Sequence, residues 1–150
     1  MNQSNEQSGS APELAPSSPM NLAATLAICS GGWLVPGLAH ILIGRWIRGL
    51  IFAACVLAMF ILGIAMHGAL YGPGLYEVPA GGSFGTLRIL AFVANIGVGI
   101  PYWIAGRLGF GEGTMTWPSY DYGTTYLWVC GLLNYLIVLD AFDIAQGRKP

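Results

Sequence analysis

The sequence carries very little charge. Only 9 % of its 150 residues are Asp, Glu, Lys or Arg, against about 25 % in a typical soluble domain. The formal net charge of -1 provides no basic surface of the kind that binds a nucleic-acid backbone. The scarcity of charge therefore argues against a soluble globular domain, and we expect no nucleic acid among the partners.

Cysteine is scarce as well, and its spacing fits no motif. Cys29, Cys55 and Cys130 each lie within an apolar stretch. An odd number of widely separated cysteines builds neither a disulfide framework nor a metal knuckle. We interpret all three as small apolar packing residues and expect no metal site.

Catalytic motifs are missing from most of the chain. There is no HExxH, no P-loop and no paired cysteine motif, so the common metal, phosphate and redox chemistries have no local signature. The glycine cluster Gly81, Gly82 and Gly85 lacks a following Lys-Ser/Thr, and Ser83 inside it has no plausible His and Asp partners by spacing. We predict that the protein is not an enzyme and binds no cofactor.

Long apolar segments are what the sequence does contain. It is 55 % hydrophobic with 22 glycines, and glycine is common in membrane helices because it lets backbones approach closely. Four segments have about the 20 residues that cross a hydrocarbon core: 21–43, 50–71, 87–106 and 124–145. We predict an all-α integral membrane protein with about four transmembrane helices over 21–147, between a disordered polar tail (1–20) and a short basic tail (148–150).

The first two segments are joined by a short turn that carries arginine, Gly44–Gly49. So short a link predicts a tight helical hairpin whose tip lies at a membrane surface. Pro36 and Pro101 lie inside the first and third segments, where each removes a backbone donor and predicts a kink. Two alternatives remain for the first segment, which is either a kinked full span or a partly re-entrant one.

The basic residues do not decide the orientation of such a four-span protein. The predicted topology places three on each side: Arg45, Arg48 and Arg107 on one, Arg88, Arg148 and Lys149 on the other. Because the tail 1–20 has no Lys or Arg, we place it outside and the turn in the cytoplasm. The expected location is a bacterial inner membrane, crossed several times.

Ionisable residues in and near the spans give a candidate site. His40 and His67 cannot share a metal ion, because in the predicted hairpin His67 lies roughly 25 Å beyond the turn at ~1.5 Å per residue. Asp140 and Asp143 share one helix face, and at a helix C-terminus they require compensating partners. We predict a polar cluster with these members: His67, Arg88, Asp140, Asp143 and Arg148. The cluster is either a structural ion-pair network or part of a proton or ion path.

The hairpin carries a motif that resembles the TM2-domain type of membrane hairpin: Pro36, Gly37, His40, Gly44, Arg45, Arg48 and Gly49. The whole pattern is similar to a family of uncharacterised bacterial membrane proteins, a domain of unknown function, with PGxGH-type hairpins. Those proteins end in an Asn-containing span followed by Asp-Ala and Gly-Arg-Lys, which here are Asn134, Asp140-Ala141 and Gly147-Arg148-Lys149. The resemblance implies a topology and supplies no catalytic residue.

Two functions of different class agree with this sequence. The first is a non-catalytic structural, assembly or accessory subunit, with the lipid bilayer and either a membrane protein or further copies of itself as partners. The second is a small oligomeric transporter or channel that uses Asp140 and Asp143 as an ion site. A third, an enzyme that acts on lipid at the interface, has no motif in its favour.

Overall fold

The computed structural model describes residues 21–72 and 84–148. These residues form six helices and no strand, with one isolated bridge between Ala69 and Glu112. The helices are α1 (Leu22–Leu34), α2 (Leu38–Leu42), α3 (Trp46–Ala65), α4 (Phe84–Ile96), α5 (Ile100–Arg107) and α6 (Tyr120–Ala145). The predicted all-α class is confirmed. The tail 1–20, most of the loop before α4 and the last two residues lie outside the described residues.

Two helices are long and apolar enough to cross a membrane. They are α3, with 20 residues, and α6, with 26 residues. A third crossing results only if α4 and α5, which meet at a bend of 108°, are taken together as one broken span. Four spans are therefore not confirmed, since the described chain offers two or three.

The segment predicted as the first span consists of two helices that fold back on each other. Pro36 has no N–H with which to continue the bonding of α1, and Gly37 adopts φ +81, a left-handed conformation that reverses the chain. After this turn Ala39 of α2 packs directly against Gly32 of α1. The first segment thus turns back, as in the re-entrant alternative.

Contacts with α6 show how far the first segment reaches. Thr25, near the start of α1, accepts a hydrogen bond from Gln146 beyond the end of α6, whereas the carbonyl of Trp33 meets Asn134 in the middle of α6. On the way back, His40 of α2 lies beside Asp140. Helix α1 therefore follows α6 over about half of its length before α2 returns.

The hairpin also differs from the predicted pair of spans. Instead of a spanning helix, the segment before the turn provides the five-residue α2, which lies antiparallel to the first turns of α3. Gly37 and Ile41 pack so closely against Gly49 that a Cβ atom at position 49 would clash with them. Further along, α3 packs antiparallel to α6 through Gly63 and Gly123, whose backbones leave no room for a Cβ atom. Small residues at such a crossing allow close helix packing in membranes.

The core lies between α3, α5 and α6. It contains these buried residues: Val56, Phe60, Leu70, Val98, Tyr102, Ala105, Leu127, Cys130 and Ile137. Helix α5 covers the second half of α3, and the two leave an entirely apolar groove of about 450 Å³ between them. Helices α1 and α2 cover the other half of the bundle. Each of the two broken segments, α1–α2 and α4–α5, therefore packs along about half of the length of the bundle.

The two ends of the bundle carry different charges. We call the end with residues 21–25, 43–48 and 146–148 the turn end, and the end with residues 66–71 and 107–120 the far end. Arg148 lies at the turn end with Arg45 and Arg48, because α6 finishes there. Arg107 lies at the far end, where Gly111 bonds to Leu70. The expected three-against-three division therefore does not hold, and the described chain begins at the turn end rather than opposite it.

Candidate functional site

Asp140 lies within ion-pair distance of a histidine other than the predicted one. The Nε2 atom of His40 lies 3.2 Å from Oδ2 of Asp140, with the His40 side chain fully buried and that of Asp140 36 % exposed. The ring of His40 also meets the ring of Phe52 edge to face, at 5.0 Å between centroids. The pair joins α2 to α6, with α3 packed beside it.

His67 lies at the far end, remote from Asp140. It stacks on Trp117 with 4.4 Å between ring centroids, and it is the one non-glycine residue of the described chain with positive φ (+59). Sequence reasoning grouped His67 with Asp140 because it took residues 87–106 as a full span that ends on the side of the turn. Helix α5 instead ends at the far end, where Gly111 bonds to Leu70, so α6 begins there and brings Asp140 beside His40.

Of the remaining members of the predicted cluster, Asp143 and Arg148 lie together. Arg148 lies 3.7 Å from Asp143, measured from Nη1 to Oδ1, and both side chains are exposed to at least a third. An ion pair this accessible contributes about 0–1 kcal/mol. Arg88 lies in α4 and is half-buried. The structure therefore places two adjacent polar contacts at the turn end, His40–Asp140 and Asp143–Arg148.

Both broken segments meet at Asn134. Its Nδ2 donates to the carbonyl of Trp33 (3.1 Å) and to that of Gly97 (2.8 Å), and its side chain is fully buried. Gly99, with φ +79, brings its backbone against the carbonyls of Trp33 and Leu34, so the two breaks touch. We call this meeting point the Asn134 junction. It satisfies two carbonyls that the helix breaks leave without intrahelical donors.

Asn95 provides a contrast with Asn134. It is also fully buried, but neither atom of its side-chain amide has a hydrogen-bond partner among the described residues. The sequence suggested the same role for both, since polar residues inside membrane helices usually bond between helices. Of the two asparagines, only Asn134 forms such bonds among the described residues; it does so through Nδ2, while its Oδ1 has no partner there.

Polar side chains also close the far end. The Ala69 N–H donates to Oγ1 of Thr124 at 3.1 Å, and Oγ of Ser119 donates to the carbonyl of Met66 at 3.1 Å. The hydroxyl of Tyr102 donates to the carbonyl of Tyr71, also at 3.1 Å. These bonds fasten the chain that follows α3 onto α5 and α6, and they use backbone groups that no helix satisfies.

The described residues contain no group of three or more His, Cys, Asp or Glu side chains that could hold a metal. Gly81, Ser83 and Gly85 have the G-x-S-x-G spacing of a nucleophilic serine, but residues 81–83 lie outside the described chain.

One comparison identifies relatives of this chain. A family model described as "Family of unknown function (DUF6677)" matches residues 27–150. Neither the curated proteins nor the solved structures yield a match.

Proposed function

The chain belongs to the DUF6677 family of unknown function, and from its internal contacts we propose that the protein is a non-catalytic structural, assembly or accessory subunit in a membrane. The observation that carries this proposal is that several of its polar side chains form hydrogen bonds that hold its helices and loops together. Asn134, Thr124, Ser119 and Tyr102 each bond to the backbone of another helix or loop. Groups engaged in this way hold the fold together.

A stable helical framework of this kind suits a partner-binding role. The helices that reach the surface are strongly apolar, as shown by Ile61 (64 % exposed) on α3 and Leu136 (62 % exposed) on α6. Such faces contact lipid or other membrane helices. The partner is therefore a membrane protein or a second copy of this chain, within a bilayer.

The charge difference between the ends supports an orientation. Arg45, Arg48 and Arg148 lie at the turn end, whereas Arg107 lies at the far end. By the positive-inside rule the turn end faces the cytoplasm, in a multi-pass protein of a bacterial inner membrane. The TM2-like motif from Pro36 to Gly49 then lies at the cytoplasmic end.

The experiment for this proposal is co-purification. The full chain, tagged after Pro150, is extracted from its native membrane in a mild detergent, and its native mass and companions are determined by mass spectrometry. We expect a partner at fixed stoichiometry that survives dilution. A companion-free preparation in every mild detergent tested, with the same native mass as the isolated chain, would refute the accessory role.

A second function is supported by the His40–Asp140 contact. A carboxylate and an imidazole at 3.2 Å inside a membrane bundle are groups that proton and ion paths use. The protein would then be a small oligomeric transporter or channel, with Asp140 at its entrance because this side chain is 36 % exposed.

The test of this second function is flux in reconstituted vesicles. Asp140→Asn should abolish a proton or sodium flux, whereas Asp143→Asn serves as the matched control, since Asp143 lies one turn further along α6 and pairs with the exposed Arg148. Each variant must retain its thermal stability in detergent. If Asp140→Asn conducts as well as the wild type, the pair has no transport role.

A further inference from the structure

We propose that the turn between α2 and α3 is a binding site for the phosphate of an anionic phospholipid headgroup. The turn borders an open surface cavity of about 460 Å³ that is lined by Gly44, Arg45, Trp46, Ile47 and Arg48. Gly44 adopts φ +88, and the space on its side-chain face is open. The cavity is therefore shaped by a backbone turn and surrounded by two arginines.

The two arginines are available to a ligand. Within the part of the chain that the structure describes, neither Arg45 nor Arg48 has a carboxylate within ion-pair distance. The acids of the same end, Asp140 and Asp143, lie against His40 and Arg148. Two unpaired guanidinium groups beside one cavity match the oxygens of a phosphate, which arginine binds through paired hydrogen bonds.

The start of α3 adds donors to the same place. No side chain caps this helix, and its first turn has no acidic residue. The N–H groups of Trp46, Ile47 and Arg48 precede the first intrahelical donor, which is Gly49 bonding to the carbonyl of Arg45. Free N–H groups and the positive end of the helix dipole reinforce the attraction of the arginines for an anion.

The apolar part of the lining identifies the source of the phosphate as a lipid. Trp46 is 64 % exposed and Ile47 is 58 % exposed, and both belong to a helix long and apolar enough to cross a membrane. Tryptophan at such a position lies at headgroup level, so the cavity opens where lipid phosphates are found. A net negative headgroup is favoured because two cations face one phosphate.

The first experiment measures which lipid the purified full-length protein retains. The protein in a neutral detergent is mixed with equal amounts of dioleoyl phosphatidylglycerol and dioleoyl phosphatidylcholine, and bound lipid is counted by native mass spectrometry. We expect phosphatidylglycerol to be preferred, and the preference to fall when the salt concentration is raised to about 0.5 M, because screening weakens the contacts of exposed charges.

Variants then locate the site. Each arginine near a membrane surface contributes about fivefold to the binding of an anionic lipid, so Arg45→Gln with Arg48→Gln should lower retention roughly 25-fold. Arg107→Gln is the matched control, because Arg107 is exposed at the far end. Should the double glutamine variant fail to fold, the salt dependence of the wild type still decides whether charge governs retention.

Three outcomes would overturn the proposal. The first is equal retention of the two lipids by the wild type, and the second is an equal loss in Arg107→Gln and in the double variant. The third is displacement of phosphatidylglycerol by ~10 mM inorganic phosphate, which would identify the turn as a site for a free anion instead of a lipid.

Discussion

Replacing Asn134 by leucine tests the Asn134 junction directly. Leucine has a similar volume but no hydrogen-bonding group, so the substitution leaves the carbonyls of Trp33 and Gly97 without the donor that lies 3.1 and 2.8 Å away. A hydrogen bond between membrane helices contributes on average about 0.6 kcal/mol, and a buried carbonyl without a partner costs about 1–3 kcal/mol. Because Oδ1 of Asn134 is buried without a partner among the described residues, its removal offsets part of this loss, and we expect Asn134→Leu to lower the free energy of unfolding by about 1–3 kcal/mol.

Asn95→Leu is the matched control for this prediction. Asn95 is buried to the same degree as Asn134, yet its amide has no hydrogen-bond partner among the described residues. Removing a buried polar group without a partner is close to neutral or stabilising, so we expect the control to unfold within about 1 kcal/mol of the wild type, or later.

The measurement is reversible unfolding in mixed micelles of increasing dodecyl sulfate content, followed by tryptophan fluorescence. The five tryptophans emit together, so the readout is the midpoint of the unfolding transition in each variant. If the two asparagine variants are destabilised equally, or Asn95→Leu more, the junction does not hold the two breaks together and the reasoning is refuted.

Two further predictions concern helix contacts. Gly131→Ala places a Cβ atom against the carbonyl of Ala94 and should lower the free energy of unfolding by about 1–3 kcal/mol. At Gly31 the added Cβ atom would lie 3.6 Å from Leu38, an ordinary contact, so Gly31→Ala should be tolerated or stabilising. Equal effects of the two variants on thermal unfolding would contradict this prediction. Thr124→Val removes the acceptor of the Ala69 N–H and should cost about 1–3 kcal/mol, but Thr125→Val, at an exposed position, should cost less than about 0.5 kcal/mol. A loss in Thr125→Val as large as that in Thr124→Val would show that the bond to Ala69 contributes nothing.

The helical class and the presence of helices able to cross a membrane could be predicted from the sequence, because both depend on local properties. Apolar runs of about 20 residues must form helices in a bilayer, where each backbone polar group needs a partner within its own segment. On this basis segments 50–71 and 124–145 correspond to α3 and α6, the two helices that can cross a membrane. The breaks could be anticipated at Pro36 and near Pro101, since proline lacks a donor.

The direction that the chain takes after each break was not predictable. Whether Pro36 kinks a span or reverses it depends on the left-handed turn at Gly37 and on the packing of Gly32 against Ala39, which are contacts between residues of separate helices. The third predicted span, 87–106, likewise ends at the far end instead of on the side of the turn, so α6 brings Asp140 beside His40 and not beside His67.

Composition and hydropathy by themselves determined a helical chain with little charge and with helices long and apolar enough to cross a membrane, because the cost of burying polar groups acts on each segment alone. The tertiary structure decided which polar groups meet: His40 with Asp140, and Asn134 with the two breaks. His40 and Asp140 are 100 residues apart in the chain. Asn134 is 101 residues from Trp33 and 37 residues from Gly97. Such contacts depend on how several helices pack at once, a balance of small energies that no single segment encodes.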